Sequence, residues 1–409
     1  MKRRFACTTV AAAIAIAAAA CSSQSSSPTG GSSSGAASAA SAAATSAPKL
    51  SGTPVHIVSI DDGSDTLPFT DVSVAVKAIV KAVNASGGIN GHPLEYTICA
   101  TDGGDNNVGA QCARAAVADP SVVAIVGEWS QTGTTVNPIL EQAKMANIGL
   151  FPQASSDYTS PIAFPVSSGT VGIVGGMVTL AADVLKAKTI GLAYTSSPQG
   201  AALQQLLQPI ANAHGAQLTK TTAIPAGAAD VSSNVEATAV GTNAVALSTR
   251  AQDSVKYIQA AGQLGIMTPL VAPANFDASL IKLLPSSGSG LYFSDSFLRE
   301  GPGYDTYKAQ ISAVDPSQIS SLRTIGVWVG AQAFLAAAKT AKSLTRAGIL
   351  AAMEKLTFSD GGITPTLDFA KPAAGSFPRL FNQTVTYNKM SAGVLIPIST
   401  QFHNVFAAG

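Results

Sequence analysis

Hydrophobic positions along this chain follow two alternating periods. Short runs rich in β-branched and aliphatic residues, such as residues 55–60 and 122–126, predict buried strands. Between them, Val72, Val76, Ile79 and Val83 recur at helical spacing, with Asp71 in the first turn, where a carboxylate suits the helix dipole. Gly87 and Gly88 predict the stop of this helix. A turn at 89–93 then leads to a strand at 94–100, so the unit is strand, helix, strand, which within one sheet requires a right-handed crossover. The pattern repeats with a helix at 110–118, broken by Asp119 and Pro120, and strands at 122–126 and 148–151. A second cycle has helices at 171–185, 200–213, 231–240 and 251–264 between strands at 189–194, 217–223, 244–247 and 269–272. A strand at 291–297, a long apolar helix at 326–344 and strands at 385–387 and 394–398 close the series. The predicted class is α/β, with two doubly wound lobes.

The chain is organised around residues 122–138. An apolar strand there runs into Gly127, Glu128, Trp129, Ser130, Gln131 and Thr132, then into a helix beginning near Val136. In open parallel sheets, ligands sit outside the carboxyl ends of the strands, beside helix N-termini. Trp129, Ser130 and Thr132 are therefore candidate ligand contacts, and the plainer reading is that the hydroxyls cap the helix while Trp129 packs. A second polar loop, with Ala154 and Ser155, follows the next strand at the same sheet edge. Asp61 and Asp62 also lie at that edge, where one of them could meet a ligand ammonium group; the plainer and preferred reading is that both are solvated turn residues. Trp328, inside the long helix, is assigned to the core. Gly326 and Gly330 in the same helix predict close helix packing rather than a membrane dimer.

The N-terminus changes the picture. Lys2, Arg3 and Arg4 precede an uncharged alanine-rich stretch that ends at Cys21, too short and too weakly apolar to span a membrane, which predicts an export signal over residues 1–21. Ala18, Ala19, Ala20 and Cys21 resemble a bacterial lipobox, which implies lipidation of Cys21; ordinary cleavage and free secretion is the alternative. Residues 22–48 are almost entirely small and uncharged and predict a disordered tether. The remaining ~360 residues exceed one ordinary domain and favour two lobes.

The whole chain holds 24 basic and 23 acidic residues, and removal of Lys2, Arg3 and Arg4 leaves 21 against 23. That balance gives no footprint for nucleic acid. Cys7 leaves with the signal, so Cys99 and Cys112 remain. In an exported protein these two are expected to pair, closing a loop of about 14 residues worth about 3 kcal/mol, with a two-cysteine metal site as the rival. No nucleophile elbow, zinc helix, phosphate-binding or dinucleotide-binding glycine loop is present, and the four histidines form no cluster. The expectation is a protein without catalysis, cofactor or metal.

Asn84–Tyr96 (NASGGINGHPLEY) resembles a signature of type 1 periplasmic binding proteins in the leucine-isoleucine-valine-receptor branch. As in that family, an Asp-containing loop (Asp102), the strand end Ala124–Gly127 and the segment Gln263–Ile266 follow in order, and the similarity covers residues 53–369. The resemblance implies two lobes joined by crossovers near Pro165, Leu291 and Pro365. It thus implies one lobe of 49–165 with 292–365 and another of 166–291 with 366–409, closing on a solute. It also implies an extracytoplasmic receptor that delivers an amino acid, or a related amide or carboxylate, to the permease of an ATP-driven importer. A ligand-sensing or scaffold lipoprotein is the alternative. Ser130, Thr132, Ala154 and Ser155 match the family's ligand loops. Gln199 stands where the family often has a stacking tyrosine, which argues against the branched-chain ligand. Arg250 and Asp277 are charged candidates from the opposite wall.

Overall fold

The computed structural model describes residues 50–407, apart from 65–67, 277, 285–289 and 393. The signal, Cys21 and the tether lie outside the described residues, as do Asp277 and the side chain of Gln199.

The first sheet forms from β1 (Val55–Asp61), α1 (Thr70–Ala85), β2 (Leu94–Ala100), α2 (Asn106–Ala118), β3 (Val122–Val126), α3 (Gly133–Gln142), β4 (Asn147–Ile148) and β5 (Ala163–Phe164). Its strand order is β2-β1-β3-β4-β5, with every pair parallel. Both faces are covered: Ile57 and Val126 pack with α1 on one side, Ile60 and Ile125 with α2 and α3 on the other. Such strands lack simple alternation because both faces are dry. α2 begins four residues before the predicted position because the Asp105 carboxylate accepts from the backbone N–H groups of Asn107 and Val108.

The chain then enters a second sheet through α4 (Gly169–Thr179), β6 (Thr189–Thr195), α5 (Pro198–Ala213), β7 (Gln217–Ile224), α6 (Ser232–Ala239), β8 (Ala244–Ser248), α7 (Ala251–Gln263), β9 (Leu270–Pro273), α8 (Ala278–Ile281) and β10 (Leu291–Asp295). A π-helical turn, Leu180–Val184, prolongs α4. Next come α9 (Pro302–Ser312), α10 (Leu322–Thr340), α11 (Arg346–Met353), β11 (Thr357–Phe358) and β12 (Leu367–Asp368); α9, α10 and α11 pack on the first sheet's side. β13 (Thr384–Ser391), β14 (Val394–Pro397) and β15 (His403–Asn404) return to the second sheet, whose order is β14-β13-β10-β9-β8-β6-β7 with β15 on β13. Among the described residues, antiparallel pairing there is confined to β13 and its partners.

Two crossings differ from the expected positions. β10 pairs with β9, and Phe297 is the first residue after it to join the other core, so that crossing lies at 296–297 rather than at Leu291. The third lies beyond Phe381, which still packs on the first lobe, rather than at Pro365. Apolar segments on either side of a crossing look alike in sequence; strand pairing decides the boundary. The crossings are tied together: Ser168 Oγ and Ser296 Oγ are 2.8 Å apart, Asn382 Nδ2 donates to Val166 O at 3.1 Å, and Thr386 Oγ1 donates to Phe297 O at 2.9 Å.

Cys99 of β2 and Cys112 of α2 are disulfide-bonded, with Cα atoms 5.8 Å apart. The Asn84–Tyr96 motif is structural. Asn84 exchanges two hydrogen bonds with the backbone of Leu94, and Gly88 adopts φ +70°, where a Cβ would meet the carbonyl of His92. It fixes the turn between α1 and β2. In α10, Gly330 lies against the backbone of Gly149, so close approach is what the glycine pair provides. Trp328 is buried, its indole N–H donating to Gln310 at 2.8 Å.

Candidate functional site

Beyond β3, Gly127 takes φ +65° and turns the chain back toward β1. The N–H of Trp129 donates to Ile60 O at 2.8 Å, and the N–H of Asp62 donates to Trp129 O at 3.1 Å. The indole is thereby held between β1 and β3, where the strand order reverses and an open sheet leaves a crevice. It stacks on Phe151, with ring centroids 4.0 Å apart and planes at 17°. α10 comes this close to the indole because position 326 is glycine: a Cβ there would lie 3.1 Å from it.

Trp129 opens onto a cavity of about 180 Å³ with walls from both lobes. The first lobe contributes Trp129, Phe151, Gln153 and the start of α10, namely Ser321, Leu322 and Arg323. The second contributes Thr170, Ile173 and Val174 of α4, Ser248 and Thr249 at the end of β8, and Pro273 and Asn275 at the end of β9. Carboxyl ends of strands from both sheets thus face one space. Arg323 Nε donates to Asp71 Oδ2 at 2.8 Å, and its guanidinium lies 4.2 Å over the Phe69 ring. Ser321 Oγ donates to the same carboxylate oxygen at 2.6 Å while accepting from the N–H groups of Arg323 and Thr324. One residue therefore caps α10 and holds the carboxylate that pairs with the cation. Asn275 Oδ1 is buried without a hydrogen-bond partner among the described residues.

Behind the first-lobe wall lie buried carboxyls. Burial pushes Asp61 up to about 6, against the hydrogen bond from Gly63 and the charge of Arg323. Burial and then the charge of Asp157 push Glu128 well above the usual carboxylate range. Burial likewise raises Asp157 to about 6, although it accepts from the N–H groups of Gln153 and Ala154 at 2.9 and 2.8 Å and from Asn137 at 2.9 Å. Asn147 joins Glu128 to Asn137, so one buried network fixes the loop that carries Gln153. Deeper, Arg299 Nε pairs with Asp295 Oδ2 at 2.6 Å and its Nη1 donates to Ser320 O at 2.8 Å, tying the end of β10 to the approach of α10.

The expected contacts are distributed unevenly. Trp129 lines the cavity. Ser130 does not, because its hydroxyl is spent on Asp62 at 2.5 Å and Thr132 at 2.8 Å. Thr132 is buried, Ala154 engages Asp157 through its N–H, and Ser155 is exposed at the start of a 3-10 turn. Arg250 is exposed as the residue before α7 and is not part of the lining. Asp61 and Asp62 are not solvated turn residues: Asp61 is 2% exposed, and Asp62 accepts from Thr101, Ser130 and the N–H of Gln131. Sequence reasoning missed Arg323. Its signal was a cation in the first turn of a helix, where the dipole disfavours it unless a carboxylate answers it. Among the described residues, no group of three His, Cys, Asp or Glu side chains could hold a metal ion, and no helix is long and apolar enough to cross a membrane.

Residues 67–376 match the family model described as periplasmic binding protein. No curated protein matches the chain. Among solved structures, it is similar to a possible leucine/isoleucine/valine-binding protein from Rhodopirellula baltica, with TM-score 0.72, 16% identity, and 87% of this chain and 99% of that one covered. It is also similar to a fatty acid ABC transporter substrate-binding protein from Thermomonospora curvata (TM-score 0.70, 18% identity, 87% and 94% covered). A third is an ABC transporter solute-binding protein from R. palustris in complex with 4-hydroxybenzoate (TM-score 0.70, 15% identity, 86% and 97% covered). At such identities the likeness shows the fold alone, whereas the family model spans most of the sequence: the chain belongs to the periplasmic binding protein family.

Proposed function

We propose that the chain is an exported lipoprotein that captures a small solute between its lobes and presents it to the permease of an ATP-driven importer. The observation that carries this reading is the cavity itself, walled by both lobes at the carboxyl ends of both sheets. The solute is an amino acid or a related amide or carboxylate, bound by the aromatic pair and the surrounding hydroxyl, amide and guanidinium groups. One lobe binds first, and the hydrogen-bonded crossings at 165–168, 296–297 and 382–383 serve as the hinge through which the second wall closes. Structural neighbours that take different solutes, a fatty acid for one and 4-hydroxybenzoate for another, fit a family that varies its solute on one frame. The basic N-terminus, the uncharged stretch and Cys21 support export and a lipid anchor.

A thermal-shift screen of the purified chain against amino acids, amides, carboxylates and sugars tests the receptor reading. A ligand at a hundred times its dissociation constant stabilises the fold by about 2.7 kcal/mol, and no shift with any class would sink it. For the anchor, Cys21→Ser is expected to move the protein from the membrane fraction to the soluble one; unchanged partition would overturn lipidation there.

A further inference from the structure

We propose that the solute is a small monocarboxylate with an apolar body about one ring in size and no ammonium beside the carboxylate. This rests on the receptor reading above. Arg323 is the one charged side chain among the described residues that line the cavity. Asp71 and the Phe69 ring hold its Nε and one guanidinium face, while its terminal nitrogens have no hydrogen-bond partner among the described residues. A guanidinium fixed at its inner end presents those two nitrogens as a fork, the geometry that matches a carboxylate.

Nothing comparable awaits an ammonium. No described lining residue carries a carboxylate. Asp71 is spent on Arg323 and Ser321, and Asp61 is 2% exposed with Oδ1 bound by Gly63. An ammonium enclosed there would lose its hydration with only neutral oxygens in return. The rest of the ligand meets the stacked Trp129 and Phe151 rings and the buried Ile173 and Val174. As for size, a cavity of about 180 Å³ compares with the roughly 150 Å³ that accepts benzene in an engineered apolar cavity.

Four probes that share one ring separate the possibilities by calorimetry on the purified chain: phenylacetate, phenylacetamide, phenethylamine and phenylalanine. Phenylacetate is expected to bind at least about tenfold tighter than each of the others, the scale of one charge-assisted hydrogen bond. Arg323→Gln is expected to erase the preference for acid over amide, and Arg323→Lys to keep part of it. Because Arg323→Gln leaves Asp71 without its partner, the double variant Asp71→Asn, Arg323→Gln removes both charges and is read for the same acid-to-amide ratio. A preference for phenylalanine, the amide or the amine, or an unchanged ratio in the folded variants, overturns the ligand class and leaves the receptor reading standing. Failure of every compound here and in the wider screen overturns both.

Discussion

The two walls of the cavity are built on different principles. The first-lobe wall places a guanidinium and an aromatic pair in front of buried carboxyls, with each member fixed by named partners: Arg323 by Asp71, Trp129 by the backbone of Ile60 and Asp62, and Gln153 by the Asp157 network. Among the described residues, the second-lobe wall offers only neutral groups at strand ends and along α4. Ordering charges in a low dielectric is costly unless their partners are prearranged, and the first lobe meets that cost during folding, before any solute arrives. Neutral hydroxyls and amides can approach and withdraw at little desolvation cost. Specificity is thus expected to reside in the first wall and closure in the second.

The largest expected effect strikes the link between the walls. Arg299→Met strands Asp295 as an unpaired buried charge and is expected to lower folding stability by about 3–5 kcal/mol in urea denaturation. Adding Asp295→Asn should recover much of the loss. If the single variant is neutral, the ion pair does not hold the lobes' junction.

Next comes the charge stored behind the first wall. Asp61 binds its proton more tightly when folded, up to about 6, than the roughly 3.9 of an unfolded aspartate. The native state therefore holds more protons in that window, and stability falls as pH rises from about 4 to about 6. Asp61→Asn keeps the acceptor for Gly63 without the charge. It is expected to be more stable than the parent by roughly 3 kcal/mol at pH 7 and equal to it below pH ~4. Parallel stability curves across that range would show that the buried carboxyl carries no penalty.

Trp129→Ala removes the aromatic surface of the first wall and should weaken solute binding by over about tenfold, roughly 1.4 kcal/mol, while the protein stays folded. Unchanged affinity by calorimetry would remove Trp129 from the site. Ser248→Ala, on the neutral wall, should cost less, about fivefold, with the melting temperature unmoved. A larger loss there than at Trp129 would invert the comparison between the walls.

Legibility followed the range of the interactions. Trp129 could be found because it directly follows a buried strand in a βα unit, where sheet geometry places ligands. Ser130 and Thr132 share that address, yet the Ser130 hydroxyl turns inward to Asp62, a partner nearly 70 positions away whose bond no local pattern announces, and the Thr132 hydroxyl turns inward to Ser130. Arg323 lies about 200 residues beyond Trp129, at the head of a helix that the apolar period marked only from Gly326, so its arrival at the same cavity was invisible.

Periodicity and turn residues by themselves determined the alternation of strand and helix, the two lobes and the turn at Asn84–Tyr96, because these depend on neighbours within a few residues and on which faces are dry. The tertiary structure alone decided where the chain crosses between the sheets, which side chains meet at the cavity and which carboxyls are buried. Those outcomes depend on strand pairing and on contacts between distant segments, and the same local sequence would serve either side of a crossing.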